Sequence, residues 1–146
     1  MELISQGFSK AFQMLISGDP ELLKVILLTL RVSGTATLIS LVVGVPVGFL
    51  LAGKRFFGRR FFISVVNTGL GLPPVVAGLT VSILFWRSGP FGDLRLLYTP
   101  TAMIIAQALI ATPVVAGLTI AGLQQIPPKL KNQLYVLGAS PWQTFI

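Results

Sequence analysis

The residues with the clearest chemical potential form one short cluster inside a long apolar stretch. Its polar side chains are those of Asn67 and Thr68, and the cluster continues with Gly69, Gly71, Pro73 and Pro74. Proline lacks a backbone N–H and leaves the carbonyl one turn earlier without its helical partner. Within a membrane, such groups are tolerated only where protein or a water-filled cavity satisfies them. The cluster therefore indicates either a broken helix that lines a path for a polar solute or a kinked helix packed against its neighbours.

A second candidate break lies later in the chain. Pro113 follows Thr112 in the middle of another apolar stretch, and we expect the proline to interrupt a helix there. A third pattern, at residues 48–54, matches most of a phosphate-binding P-loop, but Arg55 replaces the Ser or Thr that would bind magnesium. No strand is expected before it, so we interpret this match as coincidence. We predict no catalytic residue, no metal and no cofactor in this chain.

Three long runs without any charged residue must position these candidates. They cover residues 32–53, 61–86 and 96–128. A helix needs roughly 20 predominantly apolar residues to cross a bilayer, and each run is long enough. The composition agrees, because 53% of the residues are hydrophobic and 10% are charged, whereas soluble domains carry about 25% charged residues. We therefore predict an all-α, polytopic helical membrane protein embedded in the lipid bilayer.

The charge and cysteine content exclude other classes of protein. The net charge is +7, but the basic residues cluster at the ends of apolar runs, so we exclude nucleic acid as a partner. The chain has no cysteine, which excludes disulfides. None of the three runs holds an ionisable side chain of the kind that proton- and ion-coupled carriers use as relays. Active transport through this chain would therefore need energy from a separate ATPase subunit.

The N-terminal part of the chain predicts a surface helix followed by a first span. Apolar residues at helical spacing in residues 1–17 are typical of an amphipathic helix on the membrane surface, with a frayed tail as the alternative. Asp19 can cap a span that begins at Pro20 and extends to about Gly53. Small residues at four-residue spacing in this span would let another helix approach closely. They are Gly44, Gly48 and Ala52.

Loop charges predict how the chain crosses the membrane. Residues 54–60 hold four cations, which place this loop in the cytoplasm by the positive-inside rule. The more balanced loop at residues 87–95 should lie outside. The N-terminus is then outside and the C-terminal end is cytoplasmic. We divide the chain into an N-terminal interfacial segment, residues 1–19, and a membrane domain, residues 20–146, that is incomplete at its C-terminus.

Residues 132–146 resemble the cytoplasmic EAA loop of ABC importer permeases. In that family a short helix, a glycine turn and a second short helix dock into a groove on the ATPase. Gly138 falls on the family's glycine, although Asn132-Gln133-Leu134 stands where the family has Glu-Ala-Ala. An interfacial amphipathic helix with a glycine turn is the alternative. The resemblance implies an ATPase-coupling loop formed by Leu134, Leu137, Gly138, Ala139, Ser140 and Trp142.

Residues 67–79 and 97–107 resemble the permeases of the tungstate/molybdate branch of oxyanion importers. The resemblance implies the type I importer permease (MetI-like) fold and the passage of an oxyanion, tungstate first, by alternating access. It implies three partners at the cell membrane: an ABC ATPase subunit, an extracytoplasmic substrate-binding protein and a second permease copy in a homodimer. Molybdate and sulfate stay open as substrates. A non-transporting three-span scaffold or assembly subunit is the alternative from another class.

This chain differs from the family in length. Members have a core of about five spans, with the EAA-like loop between the third and the fourth, whereas this chain stops inside that loop after three. We therefore expect it to be the N-terminal portion of such a permease or the product of a truncated reading frame.

Overall fold

The computed structural model describes residues 2–53, 56–127, 133, 136–138 and 140, and over these residues it contains helices and no strand. The elements are α1 (Glu2–Ser17), α2 (Pro20–Gly53), α3 (Arg59–Leu70), α4 (Pro74–Leu84) and α5 (Pro100–Gln124), with a 3-10 turn at Gly92–Leu94. Helices α2 and α5 are each long and apolar enough to cross a membrane, and α3 with α4 adds a third crossing if the pair is one broken span. The predicted all-α, membrane-spanning fold class is confirmed.

The amphipathic segment predicted at the N-terminus is helical and forms α1. Several of its apolar side chains are exposed, among them Ile4 at 69% and Ile16 at 75%. Lipid is the natural cover for such a face on a helix that precedes a membrane span. The position of α1 on the membrane surface stays a prediction.

The start of α2 has the predicted cap. Asp19 Oδ1 accepts a hydrogen bond from the backbone N–H of Glu21 at 2.8 Å, and Pro20 occupies the first helical position. Helix α5 begins in the same way, because Thr99 Oγ1 accepts from the N–H of Ala102 at 3.4 Å. Each cap satisfies an N–H group that has no partner within its helix.

Helices α2 and α5 form the main packing interface, and glycines allow the two helices to approach closely. A Cβ added to Gly44 would lie 2.8 Å from Val115 Cβ, and one added to Gly48 would lie 2.6 Å from Thr119 Cβ. Neither position has room for a methyl group. The predicted approach of a second helix to this face of α2 is confirmed, with α5 as the neighbour. Small residues matter here because burial against another apolar helix gains little over burial in lipid.

The second apolar run is broken where the sequence predicts. Helix α3 ends at Leu70, helix α4 starts at Pro74, and their axes differ by 104°. The N–H of Gly71 closes α3 by donating to the carbonyl of Thr68 at 3.2 Å. Pro73 follows in an extended conformation, with φ −63° and ψ 135°. Pro74 then stands at the first position of α4, where an N–H would have no helical partner in any case.

The break predicted at Thr112 and Pro113 was wrong. Helix α5 runs without interruption from Pro100 to Gln124, with Pro113 inside it. The Thr112 hydroxyl lies 2.7 Å from the carbonyl of Ala108, so a side chain adds a hydrogen bond in the turn where the proline removes one. A lone proline with such support is tolerated in a membrane helix, whereas the second run combines two prolines with glycine.

Two apolar clusters attach the broken pair to α5. The first, in the C-terminal half of α5, consists of Ala116, Ile120, Val66 of α3 and Leu51 of α2. The second, near the start of α5, consists of Ala102, Val81 and Phe85, the last just after α4. At 1.5 Å per helical residue, Ala102 and Ile120 are roughly 27 Å apart along α5. That extent is close to the hydrocarbon thickness of about 30 Å, which favours one broken span over a re-entrant loop.

The cationic loop predicted at residues 54–60 is shorter than expected, because Arg59 and Arg60 already belong to α3, and Arg59 stabilises the end of α2. Arg59 donates from Nε to the carbonyl of Leu51 at 2.7 Å. Carbonyls in the last turn have no helical partner and the helix end carries partial negative charge, so a guanidinium stabilises both. Phe57 in the same loop is fully exposed. The cytoplasmic location of this loop stays a prediction.

Candidate functional site

The polar residues of the predicted path lie in the last turn of α3, next to the break. Asn67 and Thr68 are both exposed. The Thr68 hydroxyl donates to the carbonyl of Ser64 at 2.9 Å, as hydroxyls in membrane helices commonly do. Its hydrogen must therefore turn away from Ser64 before it can serve an anion. The side-chain amide of Asn67 offers two N–H donors without such a change.

The two glycines of the predicted path have different surroundings. A Cβ added to Gly69 would lie 2.6 Å from Cβ and Cγ of Pro113, so Gly69 seats the end of α3 against α5. A Cβ at Gly117 would meet Leu70 at 2.9 Å, which is a second close contact at the same level. Gly71 is exposed and stands at the break itself. Gly69 thus lies at the interface between α3 and α5, whereas Gly71 is exposed.

The two prolines start α4 and do not kink a continuous helix. The carbonyl of Pro73 accepts from the N–H of Val76 at 2.9 Å and of Ala77 at 3.2 Å. Pro73 and Pro74 are both exposed. The break therefore presents an open surface made of proline rings and backbone, with the last turn of α3 beside it.

A buried polar contact between α2 and α5 was missed by the sequence reasoning. Ser40 is fully buried, and its hydroxyl donates to the carbonyl of Ala36 at 2.8 Å. Thr112 Oγ1 lies 3.4 Å from Ser40 Oγ. The signal was available, because Ala36 and Ser40 continue the four-residue spacing of Gly44 and Gly48 toward the N-terminus. Extending that pattern would have placed this pair on the helix interface.

A second unforeseen feature is an open pocket in the loop between α4 and α5. Arg87, Asp93, Arg95 and Tyr98 are among the residues that line it. Arg95 and Tyr98 both have left-handed backbone angles, with φ of 49° and 63°. Such angles are uncommon outside glycine. The loop can offer guanidinium donors, but its own carboxylate lies among them.

Half of the predicted ATPase-coupling loop can be placed. Gly138 has φ of 86°, in the left-handed region that favours glycine, and the N–H of Leu137 donates to the carbonyl of Gln133 at 3.1 Å. Gly138 therefore lies in a turn. Ser140 is exposed. Three residues of the predicted loop lie outside the described residues, namely Leu134, Ala139 and Trp142. A docking role for the loop stays a prediction.

Comparison with known proteins agrees with the geometry. Residues 44–146 match the family model described as "Binding-protein-dependent transport system inner membrane component". The chain is 40% identical over its whole length to 64% of the tungstate uptake system permease protein TupB of Peptoclostridium acidaminophilum. It is 34% identical to a probable anion ABC transporter permease protein of Haloferax volcanii, over 82% of this chain and 51% of that protein.

A further relative is the molybdenum transport system permease protein ModB of Haemophilus influenzae. The identity is 31% over 81% of this chain and 55% of that protein. The chain thus spans between half and two thirds of the length of these relatives. The family match covers more than half of the chain, and the apolar helices and the broken pair fit a membrane component. The chain belongs to the family of binding-protein-dependent transport system inner membrane components.

Proposed function

We propose that this chain forms the membrane path of an ATP-driven importer that carries a tetrahedral oxyanion, tungstate first, by alternating access. The observation that carries this proposal is the break between α3 and α4. A 104° bend places exposed polar side chains and proline backbone beside each other inside an apolar run. The identity to a tungstate permease over the whole chain supports the choice of anion.

The chemistry of the break suits a dianion that must be passed on. Asn67 can donate from its amide and Thr68 from its hydroxyl, while Gly71, Pro73 and Pro74 keep the backbone open beside them. Gly69 contributes by seating the bend on α5. Between residues 61 and 86 the chain has no charged side chain. A fixed cation at low dielectric would bind a dianion too strongly to release it, so neutral donors are the better escort.

The energy and the substrate come from partner subunits in this proposal. A separate ABC ATPase would dock at the loop containing Leu137, Gly138 and Ser140, together with Leu134, Ala139 and Trp142. An extracytoplasmic binding protein would deliver the anion, and a second permease copy would complete the path. The N-terminus lies outside and the C-terminal end is cytoplasmic, because the loop with four cations is retained inside. Residues 1–19 form the interfacial segment and residues 20–146 belong to the membrane domain.

Molybdate and sulfate are the competing substrates. Relatives named as sulfate transport system permeases match this chain at 30% identity and below, and a molybdenum permease matches at 31%. All three anions are tetrahedral dianions, so neutral donors at a helix break discriminate weakly among them. We assign most of the selectivity to the binding protein.

The proposed function is tested by measuring the tungsten, molybdenum and sulfur content of cells. Deletion of the gene should abolish the accumulation of tungsten from nanomolar tungstate, and the restored wild-type gene should recover it, both measured by mass spectrometry. Molybdenum and sulfur content, measured on the same cells, identify the preferred anion. Unchanged tungsten content in the deletion strain would contradict the tungstate assignment. Unchanged content of all three elements would contradict the transport role.

A further inference from the structure

Helix α3 carries a continuous polar face. Its members are Arg60, Ser64, Asn67, Thr68 and, at the end of the helix, Gly71. At 3.6 residues per turn these positions lie within about 100° of helix circumference. All of them are exposed. The face runs from the cationic loop to the break.

The opposite side of α3 fixes how the helix is rotated. Val66 is buried against α2 and α5, with Ile63 packed beside it, and Gly69 lies against Pro113. The polar face is therefore turned away from both neighbouring helices. Phe61 and Val65 are exposed apolar residues at the edge of the polar face. One edge of α3 thus suits lipid, and the polar face does not.

Two of the polar side chains have unused hydrogen-bonding groups. Among the described residues, neither Ser64 Oγ nor the Asn67 amide has a hydrogen-bond partner, whereas Thr68 bonds back to the Ser64 carbonyl. An amide placed against hydrocarbon without a partner costs several kcal/mol, roughly 4–8 on a water-to-cyclohexane scale. A face of this kind within a membrane needs water or another polar group beside it.

Arg60 differs from its neighbour Arg59 in what its charge can do. The Arg59 guanidinium is committed to the carbonyl of Leu51. Arg60 is exposed, has no ion pair or hydrogen bond among the described residues, and lies at the loop end of the polar face. A guanidinium can bind an oxyanion through two parallel N–H groups. In the high dielectric at a water-filled mouth, that attraction is weak enough to allow release.

We infer that the polar face of α3 is one wall of a water-filled half-channel that leads the oxyanion from the break to the cytoplasmic loop, with Arg60 at its mouth. This inference rests on the proposed function and deepens it. It adds Arg60 and Ser64 to the path and gives the path a direction along one helix. The competing possibility is that α3 lies flat in the membrane interface with its polar face toward bulk water.

Cysteine labelling separates these two arrangements, and the natural chain contains no cysteine to interfere. Ser64→Cys and Asn67→Cys are the test variants, and Val65→Cys on the adjacent apolar edge is the matched control. Each is placed in the full-length protein, assembled with its partners in membrane vesicles, and treated with a negatively charged thiol reagent. Only thiols that reach water ionise and react. We expect the two test positions to react roughly tenfold faster than the control.

The state and ligand dependence of labelling give the decisive readout. Saturating tungstate should slow the reaction at Asn67→Cys, and a non-hydrolysable ATP analogue should change its rate, because the half-channel opens and closes with the cycle. An interfacial helix would be labelled from the cytoplasmic side at a rate that neither addition alters. That result would overturn the half-channel. Equally slow labelling at all three positions would overturn it as well.

Charge at the mouth is tested in parallel. Arg60→Gln should lower the initial rate of tungstate uptake by roughly threefold through loss of a charge-assisted contact, and Arg60→Lys should restore part of it. Unchanged uptake in Arg60→Gln would remove Arg60 from the path. Wild-type uptake in the same vesicles keeps the tests distinct. If the wild type takes up tungstate but the labelling is flat, the half-channel fails alone, and if it takes up none, the proposed function fails.

Discussion

Residues with small side chains determine how closely helices α2 and α5 pack. Gly44 and Gly48 allow the backbone of α2 to lie against α5, and Ser40 continues the same face with a hydroxyl that stays fully buried. Gly34 lies on the same helix, and no atom in the part of the chain that the structure describes is within 4 Å of a Cβ added there. The same substitution, glycine to alanine, can therefore have opposite effects on stability at Gly48 and at Gly34.

Gly48→Ala should destabilise the protein and Gly34→Ala should not. At Gly48 the new methyl group would meet Thr119 Cβ at 2.6 Å and the Ala116 carbonyl at 2.7 Å, and overpacking of this kind costs about 1–3 kcal/mol. At Gly34 alanine removes backbone freedom from the unfolded chain, which favours the helix by about 0.5–1 kcal/mol. Thermal unfolding in detergent measures both. A lower melting temperature for Gly34→Ala than for Gly48→Ala would contradict the packing.

Gly138→Val tests the turn that we assign to ATPase coupling. The φ of 86° penalises any side chain, although no atom of the described residues lies within 4 Å of the added Cβ, and a bulky residue should cost about 1 kcal/mol or more. Insertion in the membrane should survive because Gly138 is not part of any of the helices α1 to α5. Co-purification with the ATPase, and stimulation of ATP hydrolysis by loaded binding protein, should be lost. Gly34→Val is the control, and retention of both properties in Gly138→Val would remove the docking role.

At the scale of elements, the break between α3 and α4 could be predicted only in part from the sequence. Prolines in both the second and the third apolar run predicted breaks, but only the second run is broken. Gly71 and Pro73 are among the non-helical residues that separate α3 from α4 there. Pro113 is a single proline, and the hydroxyl of the preceding Thr112 donates a hydrogen bond within the same helix. The sequence located the cluster correctly. It could not reveal that Gly69 rests on Pro113, because that contact joins residues far apart in the chain.

The polar face of α3 could not be predicted from the sequence alone, for a related reason. Asn67 and Thr68 stood out in the sequence because prolines follow them. Ser64 and Arg60 join them only once the helix is known to begin at Arg59 and to pack through Val66. The start of α3 was hidden because the charge-free run begins later, at residue 61. Helix bounds and rotation are tertiary information, and the membership of the candidate site depends on both.

Replacing Pro73 and Pro74 with alanine should straighten the broken span. The change restores two backbone N–H groups and removes the fixed φ at the start of α4. If the break lines the path, tungstate uptake should fall sharply while the amount of protein in the membrane holds. Pro46→Ala is the matched control, because Pro46 is exposed within α2, which is continuous across it. Normal uptake in the double variant would mean that the prolines serve packing alone.

At the scale of the whole molecule, the charge pattern and the helix contacts describe the same arrangement. The cationic loop adjoins the end of α2 and the cluster at the C-terminal half of α5, and the loop with Arg87 and Arg95 adjoins the opposite end of α5. The two loops therefore lie at opposite ends of the helical layer. The sequence predicted this alternation from charge, although the fold alone does not say which end faces the cytoplasm.

Reporter fusions determine that orientation. A reporter inserted after Gly58 should show a cytoplasmic location, and one inserted at Gly89 should show an outside location, because four cations in the first loop oppose its translocation. A phosphatase that is active only outside and a fluorescent protein that folds only inside give complementary signals. The reverse pattern would overturn the orientation. It would also place the Gly138 turn on the wrong side for a cytoplasmic ATPase.

Transport by the purified components is the most direct measurement of all. The full-length protein is reconstituted in liposomes with its ATPase, and binding protein loaded with tungstate is supplied on the side of the Arg87 loop. We predict that tungsten accumulates in the opposite compartment only when ATP is present on the ATPase side, and that Pro73→Ala with Pro74→Ala abolishes this accumulation. Tungsten content that is the same with and without ATP, in vesicles that retain a bound and active ATPase, would contradict an ATP-driven anion path through the broken helix.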